Sequence, residues 1–256
     1  MIADLRDRFC AQRRRLLHPV DFHRAWFREL ALFYRHLSRE EFWMRYHETR
    51  KQSAELADLD AKPDAGPPLV WTHTDYCILR QMYYHRDRCF HEAALYLDNG
   101  GEWLEYGCGV GPASAWLEDH RPDAIGVAVD IPSRTLDFAT WRFERRHRMR
   151  GYELPRVRVQ VLPEIPEPLE RRGFHLIICS EVLEHVPDPL KTCVDLVRVL
   201  AGGGYLLVNF VEVEPGGANL AEAQRARAET LRYLFEELGP IRPITAHGPD
   251  GIYQKC

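Results

Sequence analysis

The feature that most constrains this chain is a change of period near residue 98. Up to that point apolar residues recur at helical spacing, and beyond it short apolar runs alternate with helical stretches. Five runs have strand character: EWLEY (102–106), AIGVAVD (124–130), RVRVQVL (156–162), FHLIICS (174–180) and GYLLVNF (204–210). Helical patterns lie between them, at about 112–119, 133–148, 189–200 and 219–238. Strands spaced by helices join as parallel βαβ units with right-handed crossovers. The chain ends RPITAHGPDGIYQKC, two short runs around Pro-Asp-Gly, which is a hairpin signal. The expected fold is therefore α/β and Rossmann-like, a mostly parallel sheet that finishes with an antiparallel pair, with helices on both faces.

Residues 1–97 form an N-terminal helical extension, and 98–256 the α/β domain. In FHRAWFRELALFYRHL, residues Phe22, Trp26, Phe27, Leu30, Phe33, Tyr34 and Leu37 make one stripe at helical spacing. Ser38 to Glu41 reads as a capping box opening a second helix, whose apolar members are Phe42, Trp43 and Tyr46. PDAGPP (63–68) is a breaker, and a third helical stretch runs from about Tyr76 to Leu97.

Composition narrows the function classes. A chain of 256 residues with 45% hydrophobic content can bury one large core, or one core with an appendage. Net charge is -4 with both signs mixed, which argues against a nucleic-acid partner. The clusters Arg13-Arg14-Arg15 and Arg145-Arg146-His147-Arg148 are solvated helix faces on this view. The seven cysteines, 10, 77, 89, 108, 179, 193 and 256, include no C-x-x-C pair, so reduced thiols in a cytoplasmic protein are expected. Charges from Asp4 onward leave no signal peptide, and no apolar run approaches the roughly 20 residues of a membrane span, so no membrane partner is expected.

In a parallel sheet, ligands bind beyond the carboxyl ends of the strands, at the switch point. There the sequence reads EYGCGVGPAS (105–114). Gly107, Gly109 and Gly111, with Cys108 between the first two, form the loop that leaves the first strand. Glycine permits positive φ and a close backbone approach, and Pro112 suits the first helical turn. Asp130 closes the second strand, 19 residues after Gly111, where an acid can accept from both ribose hydroxyls; the expected spacing is roughly 20. A dinucleotide fingerprint would place the third glycine three positions after the second; here it comes two after. Glu105 would also repel a pyrophosphate, whereas a cofactor carrying an ammonium and a sulfonium tolerates it. The charge pattern selects S-adenosylmethionine.

E-Y-G-C-G-V-G resembles motif I of the class I S-adenosylmethionine-dependent methyltransferases, usually (D/E)-x-G-x-G-x-G. FHLIICSEVLEHVPDP (174–189) is similar to that superfamily's segment after strand four, and LAGGGYLLVNF (200–210) to its entry into strand five. The resemblance spans roughly 95–256. It implies a seven-stranded sheet with an antiparallel last strand, and S-adenosylhomocysteine as product. It also implies that Glu105, Gly107, Cys108, Gly109 and Gly111 hold the methionine end, Asp130 and Ile131 the ribose, and Ser180 and Glu181 the pocket near the methyl. The family's acid after strand three is displaced to Glu164, which leaves adenine recognition to backbone groups.

EVLEH carries two alternatives. If helical, it brings Glu181, Glu184 and His185 onto one face, a set that could hold a divalent ion. The resemblance points elsewhere, because metal-binding RNA-modifying members have a further histidine after strand five. Here Glu212-Val-Glu214 stands in that region, so no metal is expected. His185 is the first candidate general base and Glu181 the second. The N-terminal extension, with His73, Asp75, His85 and His91 among aromatics, serves as a lid or substrate platform by the same resemblance. Arg86 or Arg88 is a candidate partner for the cofactor carboxylate. The expected acceptor is a small molecule, a sugar or natural-product intermediate methylated on oxygen or nitrogen. The alternatives are an RNA or protein acceptor, or a module that binds cofactor without turnover.

Overall fold

The computed structural model describes residues 22–60, 75–84, 93–97, 100–162, 173–210, 220–242 and 251–256. In chain order these form α1 (Phe22–Phe33), α2 (Arg39–Asp60), α3 (Tyr76–Tyr84) and a 3₁₀ turn (Ala93–Tyr96). Next come β1 (Glu102–Tyr106), α4 (Pro112–His120), β2 (Ile125–Asp130), α5 (Arg134–Arg150), β3 (Val157–Val161) and β4 (Phe174–Cys179). A 3₁₀ turn (Leu183–His185), α6 (Pro189–Val199), β5 (Leu200–Val208), α7 (Ala221–Glu237), β6 (Gly239–Arg242) and β7 (Gly251–Gln254) complete the described chain.

The seven strands lie in the order β3-β2-β1-β4-β5-β7-β6. The first five are mutually parallel, and β7 runs antiparallel to both β5 and β6. Strand alternation divides the core into two. Leu104, Val127, Ile177 and Leu206 pack with Cys193 and Leu196 of α6 and Leu234 of α7. Their neighbours Trp103, Ala128, Ile178 and Leu207 face the other way, onto Trp116 and Leu117 of α4 and Leu136 and Phe143 of α5. Each face is thus covered by its own helix pair. The strand order reverses between β1 and β4, so the switch-point cleft opens at their carboxyl ends.

A third core belongs to the N-terminal helices: Trp26 and Leu30 of α1, Phe42 and Tyr46 of α2, and Ile78, Leu79 and Met82 of α3. It also takes in Phe138 of α5 and Val110 of the glycine loop. The capping box at Ser38 is present, with Glu41 N–H donating to Ser38 Oγ at 3.1 Å and Ser38 N–H to Glu41 Oε2 at 2.7 Å.

Several boundaries differ from expectation. The stripe extending to Leu37 stops being helical at Phe33, because Arg35 and His36 adopt positive φ (56° and 79°). Of the stretch expected as one helix from Tyr76 to Leu97, the described residues form α3 (Tyr76–Tyr84) and the 3₁₀ turn Ala93–Tyr96. β5 begins at Leu200, four residues early, as GGG continues the strand across an irregular register with β4. β6 precedes the expected hairpin run, starting at Gly239. PDAGPP, His73, His85, Arg86, Arg88, His91, Glu164, Glu212 and Glu214 lie outside the described residues.

Candidate functional site

The loop from β1 to α4 takes left-handed backbone at all three of its glycines, with φ of 68° at Gly107, 54° at Gly109 and 67° at Gly111. Its packing adds a second requirement. A Cβ on Gly111 would lie 2.5 Å from the Phe143 ring, and one on Gly109 only 2.1 Å from Gln81 Oε1. A side chain at either position would meet both steric strain and a filled neighbour space.

Glu105 is buried, and its two carboxylate oxygens accept the first free amides of α4, Ala113 N–H at 3.1 Å and Ser114 N–H at 2.8 Å. A carboxylate at a helix N-terminus satisfies orphan donors and meets the positive end of the dipole. Burial nonetheless pushes its carboxyl up to about 7, against the pull of the Ser114 and Ala113 hydrogen bonds. Glu105 anchors the helix end behind the loop.

Asp130 closes β2 and ties that strand to the loop. Its Oδ2 accepts Gly109 N–H at 2.6 Å, and its Oδ1 accepts Ile131 N–H at 2.7 Å. Burial pushes this carboxyl up to about 6, against the two amide hydrogen bonds. Two donors leave part of the four-site acceptor capacity of a carboxylate for hydroxyl donors.

Exposure divides the expected cofactor residues in two. Glu105, Cys108, Gly109 and Gly111 are buried, on the inner side of the loop. Gly107, Asp130, Ile131, Ser180 and Glu181 are part-exposed, at the carboxyl ends of β1, β2 and β4. The first set shapes the loop and the second faces the cleft. A cleft edged by backbone N–H and C=O groups and a carboxylate suits a ligand with vicinal hydroxyls at one end and an ammonium at the other, so these residues fit S-adenosylmethionine.

At the end of β4, Glu181 is one of three described non-glycine residues at positive φ, 58°. Its amide donates to Asn209 Oδ1 at 2.5 Å, and Asn209 Nδ2 reaches Glu181 Oε1 at 3.4 Å. Left-handed backbone costs on the order of 1 kcal/mol or more for such a residue, so Asn209 holds Glu181 in a posture it would not take alone. The following segment is a single 3₁₀ turn, Leu183–His185, rather than an α-helix, and Glu181 stands outside it. Glu184 is buried while His185 is part-exposed, with His185 Nε2 3.9 Å from Glu184 Oε1. The three side chains therefore do not share an α-helical face. Among the described residues no group of three His, Cys, Asp or Glu side chains could hold a metal ion.

Three contributors were missed by sequence reasoning. Asn209 stands just past β5 as the polar residue in VNF, a visible signal for a strand-end site residue. Gln81 accepts Val110 N–H at 2.9 Å, and Arg142 donates to Val110 C=O at 2.9 Å. Neither carries a sequence signal, because each meets the loop only through tertiary packing.

Residues 74–248, more than half of the chain, match a family described as a methyltransferase domain. An uncharacterized protein of Synechococcus is 31% identical over 125 residues, 49% of this chain and 28% of that protein. The ubiquinone biosynthesis O-methyltransferase of Coxiella burnetii is 29% identical over 112 residues, 44% of each chain. The chain thus spans less than half the length of these curated relatives. Among solved structures, the pyocyanin biosynthetic protein PhzM superposes with a TM-score of 0.52 over 90% of this chain and 73% of its own, a likeness of fold at 16% identity. No helix among the described residues is long and apolar enough to cross a membrane.

Proposed function

The chain belongs to the methyltransferase-domain family, the class I S-adenosylmethionine-dependent methyltransferases that its motif I resembles, and from that premise we propose that it methylates an oxygen or nitrogen of a small molecule. The observation that carries the cofactor side is Asp130, locked to Gly109 and Ile131 at the cleft with acceptor capacity to spare. Support for a small acceptor comes from a relative whose name places it in ubiquinone biosynthesis, and from the aromatic N-terminal layer.

When bound, the cofactor supplies an activated methyl on a sulfonium, so the protein contributes positioning, exclusion of water and a proton acceptor. Asp130 and Ile131 orient the ribose, and Gly107 presents backbone to the methionine end. Ser180 and Glu181 line the methyl-transfer side, with Glu181 fixed by Asn209. His185 accepts the proton of an attacking hydroxyl or amine, its ring 3.9 Å from a Glu184 carboxylate oxygen that favours the resulting cation by Coulomb attraction. Glu181 is the second acceptor in reach of this end of the sheet. The N-terminal helices, within 1–97, form the acceptor platform.

Calorimetric titration with S-adenosylhomocysteine tests the cofactor site, and transfer of labelled methyl to a panel of phenols, sugars and amines tests the acceptor. The expected result is micromolar or tighter binding that Asp130→Ala abolishes, unchanged by a chelator. Near-normal turnover of His185→Ala across pH would remove His185 as the base.

A further inference from the structure

Val110 is the residue of the glycine loop with the least in common with its neighbours. Its side chain is fully buried, and it inserts into the core of the N-terminal helices beside Leu79 and Met82 rather than into either core of the sheet. Its amide donates to Gln81 Oε1 on α3 at 2.9 Å. Its carbonyl accepts from Arg142 Nη1 at 2.9 Å, and the same guanidinium nitrogen lies 3.4 Å from the Gly111 carbonyl. Arg142 is itself fixed from the N-terminal side. Its Nε donates to Glu29 Oε2 of α1 at 2.8 Å, its guanidinium lies 4.5 Å over the Trp26 ring, and its side chain is wholly buried.

We propose that the N-terminal layer is the positioning frame of the cofactor loop, gripping it at Val110, with Gln81 and the Glu29–Arg142 pair as positioning residues for S-adenosylmethionine. The inference rests on the function proposed above. The Val110 N–H and side chain are held by this layer directly, and its C=O is held by Arg142 of α5, which Glu29 and Trp26 of the layer fix in turn. The loop's remaining anchors, Asp130 at Gly109 and Val129 C=O at Cys108 N–H, come from β2. The loop is therefore stretched between two supports, β2 of the sheet on one side and, on the other, Gln81 together with an Arg142 that the N-terminal layer fixes. Gln81 also fills the space a Cβ on Gly109 would need, 2.1 Å from its Oε1, so it excludes a side chain at that position as well. A platform that holds the acceptor and also grips the cofactor loop couples the two sites, because movement of α3 moves Val110.

The test compares S-adenosylhomocysteine titrations of the unaltered chain, Gln81→Leu and Gln81→Glu. Leucine loses the acceptor, whereas glutamate keeps both the length and the acceptor. Loss of one hydrogen bond that sets the loop should weaken binding about tenfold in Gln81→Leu. Gln81→Glu should recover most of that loss, with melting temperatures of all three within a few degrees. Equal affinity in Gln81→Leu and the unaltered chain would overturn the inference alone; equal weakening in both variants would reduce Gln81 to packing and overturn it too. No binding by the unaltered chain would instead sink the proposed function. A second measurement needs no variant. Saturating S-adenosylhomocysteine should slow amide exchange over 76–84 at concentrations that leave β6 and β7 unprotected, and protection confined to 105–113 and 128–133 would contradict a shared frame.

Discussion

Two buried glutamates sit on either side of the cofactor loop, and their environments act in opposite directions. Glu105, behind the loop, has burial as the largest influence, which outweighs the Ser114 and Ala113 hydrogen bonds and the weaker pull of the Arg142 charge and pushes its carboxyl up to about 7. Glu29, in the N-terminal layer, suffers the same burial, but Arg142 and Arg146 outweigh it and hold its carboxyl below the usual range. Arg146 extends that network to Glu118 and Asp119, each at 3.1 Å, joining α1, α4 and α5. Similar burial with different partners raises the carboxyl of one residue and depresses that of the other. Amide dipoles thus dominate the contacts of Glu105, and guanidinium charges those of Glu29.

The largest effect should come from removing the charged side. Glu29→Ala leaves two guanidiniums buried beside each other, a loss on the order of 3–5 kcal/mol. Thermal melting should fall by roughly 6–20 °C for a chain of this length. Glu105→Ala removes two acceptors from α4 but leaves no buried charge, so it should cost only about 1–3 kcal/mol. A Glu105→Ala variant less stable than Glu29→Ala would reverse the ranking of charges over dipoles.

The pH responses sharpen the same contrast. Glu105 has a folded value near 7 against about 4.3 in the unfolded chain. Its contribution to stability is therefore fully present below about pH 4.3 and lost as pH rises to 7. Glu29 has a depressed folded value, so its contribution is present above about pH 4.3 and lost as pH falls below that. Denaturant midpoints of Glu105→Gln between pH 5 and 7.5 should lack the decline that Glu105 imposes on the unaltered protein. An identical profile would show that Glu105 is already ionised at pH 5.

Asp130 gives the corresponding test of binding. Hydroxyl donors favour its ionised form, so ligand binding should lower its value from about 6. Affinity for S-adenosylhomocysteine should be steady above pH 7 and weaken as pH falls through 6. Asp130→Asn should bind less tightly with a flat profile over that range; an unchanged slope in Asp130→Asn would assign the pH dependence elsewhere.

The same contrast explains what the sequence could and could not convey. Glu105 lies within ten residues of the amides it receives, and Asp130 about twenty from its glycine, so motif spacing made both visible. The alternation of strand-like runs with helical stretches likewise foretold helices on both faces of the sheet. Glu29 is 113 residues from Arg142 and 117 from Arg146, and Gln81 is 29 from Val110, so no local period reports them. Arg142 and Arg146 also sit at i and i+4 on α5, a spacing that looks the same whether the face meets water or Glu29. The basic run Arg145–Arg148 was read as solvated, yet Arg146 is buried in the network. The conditional helical alternative for EVLEH is closed by local backbone, because Glu181 turns left-handed and only a 3₁₀ turn follows.

The smallest effect is the most informative about cooperativity. Ser38 caps α2 through a reciprocal pair with Glu41, on the exposed far side of the N-terminal layer. Ser38→Ala removes one acceptor from one helix end, and touches neither the Glu29 network nor the loop. If charges weld the layer to the sheet, the layer cannot melt alone, and the loss must appear in the one transition of the whole protein as a fall of about 2–4 °C. If the layer is only apposed, Ser38→Ala should split off an early transition seen by tryptophan fluorescence, since Trp26 and Trp43 both belong to it, while the sheet's later transition stays put. Repeating Ser38→Ala in the Glu29→Ala background would then separate the two causes, because removing the weld should convert a shared shift into a private one.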